Sequence, residues 1–244
     1  MDGLAATLLI VGSYFLGAIP TAYWMARAIK KIDIREYGSG NVGVSNFAQH
    51  VGKKWAVLVV LFDVVVKGSL PVLLASSKVL DLGLPVEVAA GFVTLAGHNW
   101  SVFIRFSGGR AMGTVLGVAG ALDFVLVWAY ILTSFFVWLA IRRSDSAVSW
   151  GIAAVMMPVY SLLLGLPVEV TLFAAGFLLM VIVKRSISND PTYWTDVKDS
   201  RSFVRVLATR IVFDRDTLAK EGWVKRGPGR QPPPEIGDTP ARQT

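Results

Sequence analysis

Residues 97–114 read GHNWSVFIRFSGGRAMGT, a polar, glycine-bearing stretch set between two long apolar runs. The apolar runs recur along the chain at lengths that cross a bilayer, for which about 20 residues are typical. The stretch therefore reads as a loop held at a membrane surface. Gly108-Gly109-Arg110 joins two bare backbone amides to a fixed cation. Glycine lets a backbone approach a ligand closely, and successive N–H groups in such a turn form an anion cradle. A helix beginning near Ala111 would aim its positive end at the same spot. Arg105 and Arg110 carry forked donors suited to phosphate oxygens. The same residues also suit a plain turn flanked by arginines of a cytoplasmic loop.

Outward from this stretch, the chain divides into spans. The first runs from Leu4 to about Ala26 and ends in Arg27, Lys30, Lys31 and Arg35. It lacks a basic leader and an A-x-A-like cleavage site, so it reads as a retained helix. Lys53 and Lys54 precede a second span, about 55–77, which holds Asp63 and Lys67 four residues apart on one helix face. A third span, about 86–104, delivers the 97–114 loop. A shorter glycine-rich helix follows at about 111–122, then spans at about 124–141, 148–164 and 168–183.

Placing the loops on alternating sides puts Arg27, Lys30, Lys31, Arg35, Lys53, Lys54, Arg105, Arg110, Arg142, Arg143, Lys184 and Arg185 on one face and Lys78 alone on the other. Lysine and arginine stay cytoplasmic. The expected fold is thus all-α: a polytopic membrane protein of seven transmembrane helices, N-terminus outside and C-terminus cytoplasmic. The count requires the short fourth helix to cross.

Composition agrees. Of 244 residues, 54% are hydrophobic and 17% charged, against about 25% charged in soluble domains; mean hydropathy is +0.56. With no cysteine, disulfides, thiolate metal sites and cysteine nucleophiles are excluded, and two histidines argue against a histidine metal site. The net charge of +7 fits basic loops beside anionic lipid and does not call for nucleic acid. Residues 1–188 read as a transmembrane domain and 189–244 as a basic cytoplasmic tail. The tail's end, RGPGRQPPPEIGDTPARQT, has a disordered composition. Ahead of that end, SRSFVRVLATRIVFD is moderately amphipathic and reads as a surface helix, a short strand pair or a solvated segment.

The orientation gathers three polar stretches on one face: Arg35–Asn46 (REYGSGNVGVSN), Gly97–Gly113 and Arg185–Asn189, joined by the region around Ser149. Asp63 and Lys67 lie in an apolar span, where charge marks either a structural ion pair or a contact near substrate. Trp24, Trp55, Trp100, Trp128 and Trp150 read as an interfacial belt or packing.

These segments resemble the bacterial membrane glycerol-3-phosphate acyltransferases that use acyl-phosphate, the PlsY family. GSGNVGVSN is similar to that family's GSGNxGxTN signature, and DVVVKG (63–68) to its D-x-x-K-G segment with one extra residue before the lysine. GHNWSVFIRFSGGRAMGT is similar to its GHxxPxFxxFKGGKGVAT signature, and Ser149-Trp150-Gly151 falls where the family has a Ser-Leu-Gly-like segment. Arg185 and Asn189 match the outer positions of RHxxN. The chain departs at Ser101 (proline in the family), Ser107 and Arg110 (lysines), Ala111 (glycine) and Ser186 (histidine).

The resemblance implies acyl transfer from acyl-phosphate to the 1-hydroxyl of sn-glycerol 3-phosphate in a bacterial inner membrane, without a cofactor or metal. It implies catalytic roles for Ser39, His98 and Arg110. Substrate contacts fall on Arg35, Gly38, Gly40, Asn41, Asn46, Lys67, Ser107, Gly108, Gly109, Gly113, Ser149, Arg185 and Asn189. Residues 107–113 would cradle the acyl-phosphate, and Ser39, Asn41, Asn46, Arg185 and Asn189 the glycerol phosphate. His98 would polarise the acceptor hydroxyl or brace the loop. The alternatives are a divergent paralogue with another acceptor or no activity, and a membrane transporter of small anions.

Overall fold

The computed structural model describes residues 2–141, 145–187, 200–216, 224 and 227–228, and the described chain is all-helical. Helix α1 (Asp2–Ala18) stops before Pro20, and α2 (Thr21–Lys30) begins after it. The first span, expected at about Leu4–Ala26, is thus interrupted at 19–20 but remains one apolar helical stretch over Gly3–Lys30. Proline has no N–H to donate and disfavours helix at the residue before it. A short α3 (Val44–His50) precedes the second long helix, made of α4 (Lys53–Leu61), a π-helical segment (Phe62–Ser69) and α5 (Leu70–Ala75). Then come α6 (Leu84–Asn99), α7 (Thr114–Leu122), α8 (Phe124–Ala140), α9 (Ser146–Leu163), α10 (Val168–Ile187) and α11 (Ser200–Phe213).

Among the described residues, four helical stretches are long and apolar enough to cross a membrane: Gly3–Lys30, Lys53–Ala75, Ser146–Leu163 and Val168–Ile187. Helix α8, with 17 residues, is apolar but shorter. Helix α7 has nine residues and so rises only about 14 Å at 1.5 Å per residue. It begins at Thr114, later than expected, because Ala111 lies outside the helix at φ 55°. Asp123 then separates α7 from α8, accepting the Leu126 N–H at 2.6 Å as an N-cap. Arg142 and Arg143, which the orientation count uses, lie outside the described residues.

The π segment falls on DVVVKG, the stretch with one residue more than the D-x-x-K-G pattern it resembles, and π turns accommodate such an extra residue. Asp63 and Lys67 then meet at 2.7 Å, both buried. The widened segment lies against α7 at Gly117, where a Cβ would sit 1.8 Å from the Val64 carbonyl oxygen, so only glycine fits. Ser69 Oγ bridges the Val64 and Gly117 carbonyls at 3.2 and 3.1 Å.

Small and hydroxylated residues let other helices close, as expected where lipid offers no hydrophobic drive. Helix α1 meets α6 with Thr94 Oγ1 donating to the Ser13 carbonyl at 3.3 Å. Thr133 and Tyr160 join α8 to α9 at 2.7 Å, and Ser161 and Thr171 join α9 to α10 at 2.8 Å. The apolar core runs through Leu95, Val115, Leu126, Tyr130, Met157, Phe173 and Phe177. Leu4, Leu8, Val11 and Phe15 stay exposed along α1, as do Phe124, Trp128, Phe135 and Phe136 on α8, the surface a bilayer would cover.

Candidate active site

A cavity of about 360 Å³ opens where the polar stretches converge. Its lining draws on Ser39–Gln49, His98, Arg110–Gly113, Asp145–Trp150, Arg185 and Phe213–Arg215. The two glycine-bearing turns touch directly: Arg110 Nη1 donates to Asn41 Oδ1 at 3.1 Å. Arg110 is buried, and its Nε also donates to Asp214 Oδ1 at 2.8 Å.

The first turn is closed by its own asparagine. Asn46 Nδ2 faces the carbonyls of Ile34, Tyr37 and Asn41 at 3.1, 3.0 and 3.1 Å. Ser39 lines the cavity, and its Oγ accepts the Asn41 N–H at 3.3 Å. Gly38 and Gly40 shape the turn at φ 52° and 68° but do not line the cavity.

The second turn divides in two. Gly109 donates its N–H to the His98 carbonyl at 3.0 Å, and a Cβ on Gly108 would fall 2.1 Å from that same oxygen. Gly108 and Gly109 therefore press against the end of α6 and border a minor cavity of about 10 Å³ shared with Asp63, Lys67 and His98. Ser107 is exposed, its N–H bonded to Ile104 O at 3.2 Å. Arg110, Ala111, Met112 and Gly113 face the large cavity. Of the 107–113 segment expected to form a cradle, residues 110–113 line the large cavity. Ser101, at the family's proline position, donates its hydroxyl to the Ala18 carbonyl and pins this loop to the end of α1. His98 lines the cavity with Nδ1 3.0 Å from Thr114 Oγ1.

Other expected residues are placed as follows. Arg35 does not line the cavity; it forks onto Asp33 at 2.9 and 2.7 Å, and this holds the Asp33 carboxyl below the usual range. Lys67 pairs with Asp63, whereas Asp63 itself reaches the large cavity. Ser149 is buried behind the lining, donating to Ser146 O at 3.0 Å. Arg185 lines the cavity and donates to the carbonyls of Ala147 and Ile211, each at 2.8 Å. Asn189 lies outside the described residues.

Sequence reasoning passed over Asp145, Asp214 and Arg215. Asp145 caps α9 through the Ala147 N–H at 3.0 Å and pairs with Arg215. Helix α11 is no solvated tail segment. It lies against α9 and α10 with Arg210 fully buried. An acidic residue just past an amphipathic run was the one available signal, and it does not say where that run docks.

The model of the glycerol-3-phosphate acyltransferase family matches residues 7–189. Glycerol-3-phosphate acyltransferase 4 of Dehalococcoides mccartyi is 38% identical over 235 residues, covering 90% of this chain and 93% of that one. The Desulforudis audaxviator glycerol-3-phosphate acyltransferase is 36% identical over 193 residues, 78% of this chain and 93% of the relative. The crystal structure of PlsY, an integral membrane glycerol 3-phosphate acyltransferase in its glycerol 3-phosphate form, is similar at a TM-score of 0.69. It is 27% identical, with 84% of this chain and 94% of that one covered. Fold, signatures and a match over three quarters of the sequence point the same way: this membrane protein belongs to the PlsY family of glycerol-3-phosphate acyltransferases.

Proposed function

We propose that this protein transfers a fatty acyl group from an acyl-phosphate to the 1-hydroxyl of sn-glycerol 3-phosphate, at the cytoplasmic face of a bacterial inner membrane. The products are 1-acyl-glycerol 3-phosphate and inorganic phosphate. The Arg110–Asn41 contact carries the reading, since it brings both signature turns onto one cavity. The solved relatives support acceptor and product, their structures being glycerol 3-phosphate and lysophosphatidic acid forms.

An acyl-phosphate is already an activated mixed anhydride. The acceptor oxygen attacks the acyl carbon, the bond from that carbon to the phosphate oxygen breaks, and phosphate leaves with the electron pair. It can also take the hydroxyl proton. Such a reaction needs alignment and charge stabilisation more than a covalent nucleophile, which suits a chain without cysteine. Arg110 answers the charge on the leaving phosphate, with the 112–113 backbone beside it. Arg185, Asn41 and Ser39 lie across the same cavity for the glycerol phosphate. His98 braces the second turn, its carbonyl holding Gly109 and its ring against Thr114. The acyl chain lies between helices in the bilayer, and seven crossings with the N-terminus outside put the cavity on the basic face.

The test is turnover by purified protein in lipid nanodiscs, offered palmitoyl phosphate or palmitoyl-CoA with glycerol 3-phosphate. Lysophosphatidic acid should form from the phosphate donor alone. Equal turnover of the thioester, or none of the phosphate, would overturn the reading. Turnover only with another acceptor would identify a divergent paralogue.

A further inference from the structure

The family match ends at residue 189, yet the cavity wall does not. Residues 213–215, carried at the end of α11, complete it. The segment is tied down at several points. Arg210 pairs with Asp216 at 2.6 Å and donates to the Ser186 carbonyl at 3.0 Å. Arg185 donates to Ile211 O at 2.8 Å, and Arg215 pairs with Asp145. The contact at Ser186 is to its backbone carbonyl, so it anchors the docked helix whatever side chain stands there.

What the anchored segment delivers is a carboxylate on Arg110. Asp214 takes Nε at 2.8 Å while Asn41 takes Nη1 at 3.1 Å, so the guanidinium plane is fixed from two sides. A carboxylate next to the principal phosphate cation has two possible uses. It can compete with substrate and swing away, or it can stay and aim the arginine. The ties through Arg210, Arg185 and Arg215 oppose swinging, because leaving Arg110 would pull Asp214 against four neighbouring ion pairs and hydrogen bonds.

We propose that Asp214 is a positioning residue for the acyl transfer, supplied from outside the family's core: it holds Arg110 aligned for the acyl-phosphate. The proposal rests on the acyl-transfer reading above. It also assigns the 200–216 segment to the active site.

The experiment compares full-length wild type, Asp214→Ala and Asp214→Glu in nanodiscs. One arm measures kcat and KM for palmitoyl phosphate and for glycerol 3-phosphate. The other measures thermal stabilisation by inorganic phosphate, which requires no turnover. For Asp214→Ala, kcat/KM for the acyl-phosphate should fall 10- to 100-fold, on the order of what misplacing a catalytic group costs. KM for glycerol 3-phosphate should change less, phosphate stabilisation should shrink, and Asp214→Glu should recover most of the loss. Asp216→Asn, which loosens the Arg210 tie without touching Arg110, should reproduce a weaker form of the same split. A lower KM in Asp214→Ala would make Asp214 a competitor and overturn the proposal. So would unchanged kinetics, or equal losses for both substrates without rescue by glutamate. A wild type without turnover sinks the acyl-transfer reading, and the phosphate arm then decides on Asp214 alone.

Discussion

The turns at 38–46 and 107–113 look alike in sequence, both glycine-rich and both placed between helices, but they are held by different means. The first closes on itself: Asn46 reaches three carbonyls within twelve residues, and Gly40 donates to Tyr37 O at 2.9 Å. The second is held from afar. Its arginine reaches Asn41, 69 residues away, and Asp214, 104 residues away. Local closure makes the first turn a scaffold. Long-range tethering makes the second the place where charge is aimed, so changes to the two should fail in different ways.

The largest expected effect is on chemistry. Arg110→Ala should lower turnover of acyl-phosphate on the order of 10³-fold, the scale seen when one donor to developing charge is removed. Steady-state kinetics on purified protein read this, and near-normal rates would strip the second turn of its role. Next comes Gly108→Ala, whose Cβ would meet the His98 and Asn99 carbonyl oxygens at 2.1 and 2.6 Å. Backbone must move, at a cost of about 1–3 kcal/mol, visible as a lower melting temperature together with lost activity. Asn46→Ala should cost about 1–3 kcal/mol by leaving buried carbonyls without their donor. It should show in melting first, while turnover per folded molecule holds up better than in Gly108→Ala. If both variants lose stability and turnover in the same proportion, the distinction between the turns collapses.

Much of this was open to sequence reading. The apolar runs announce a helical membrane protein, and Ser39, Asn41, His98, Arg110, Gly113 and Arg185 do line one cavity. The missing parts share a cause. Arg35 carries the right charge, but Asp33, two residues away, captures it. Fewer of residues 107–113 reach the cavity than expected, because Gly109's amide is spent on the His98 carbonyl. Asp145, Asp214 and Arg215 join the wall through ion pairs spanning 70 and 104 residues, and no local periodicity records such a pairing. The π turn at 62–69 was half visible, as one residue too many between Asp63 and Lys67.

The smallest effect belongs to the ion pair beside the first turn. The Arg35 guanidinium holds the Asp33 carboxyl low, so its contribution is present above the unfolded value of about 3.9 and is lost as pH falls through the depressed folded value. Asp33→Asn should melt slightly below wild type near neutrality, by less than about 1 kcal/mol for a pair that is only partly buried. The two melting curves should converge in acid. A gap that persists at the lowest pH would assign the effect to something other than this pair.

The central claim is that the two turns act as one site through the Arg110–Asn41 contact. A double-mutant cycle of Asn41→Ala and Arg110→Lys on kcat/KM for palmitoyl phosphate tests it most directly. Joint action predicts a coupling energy of about 1 kcal/mol or more, whereas losses that add to within about 0.3 kcal/mol would contradict it.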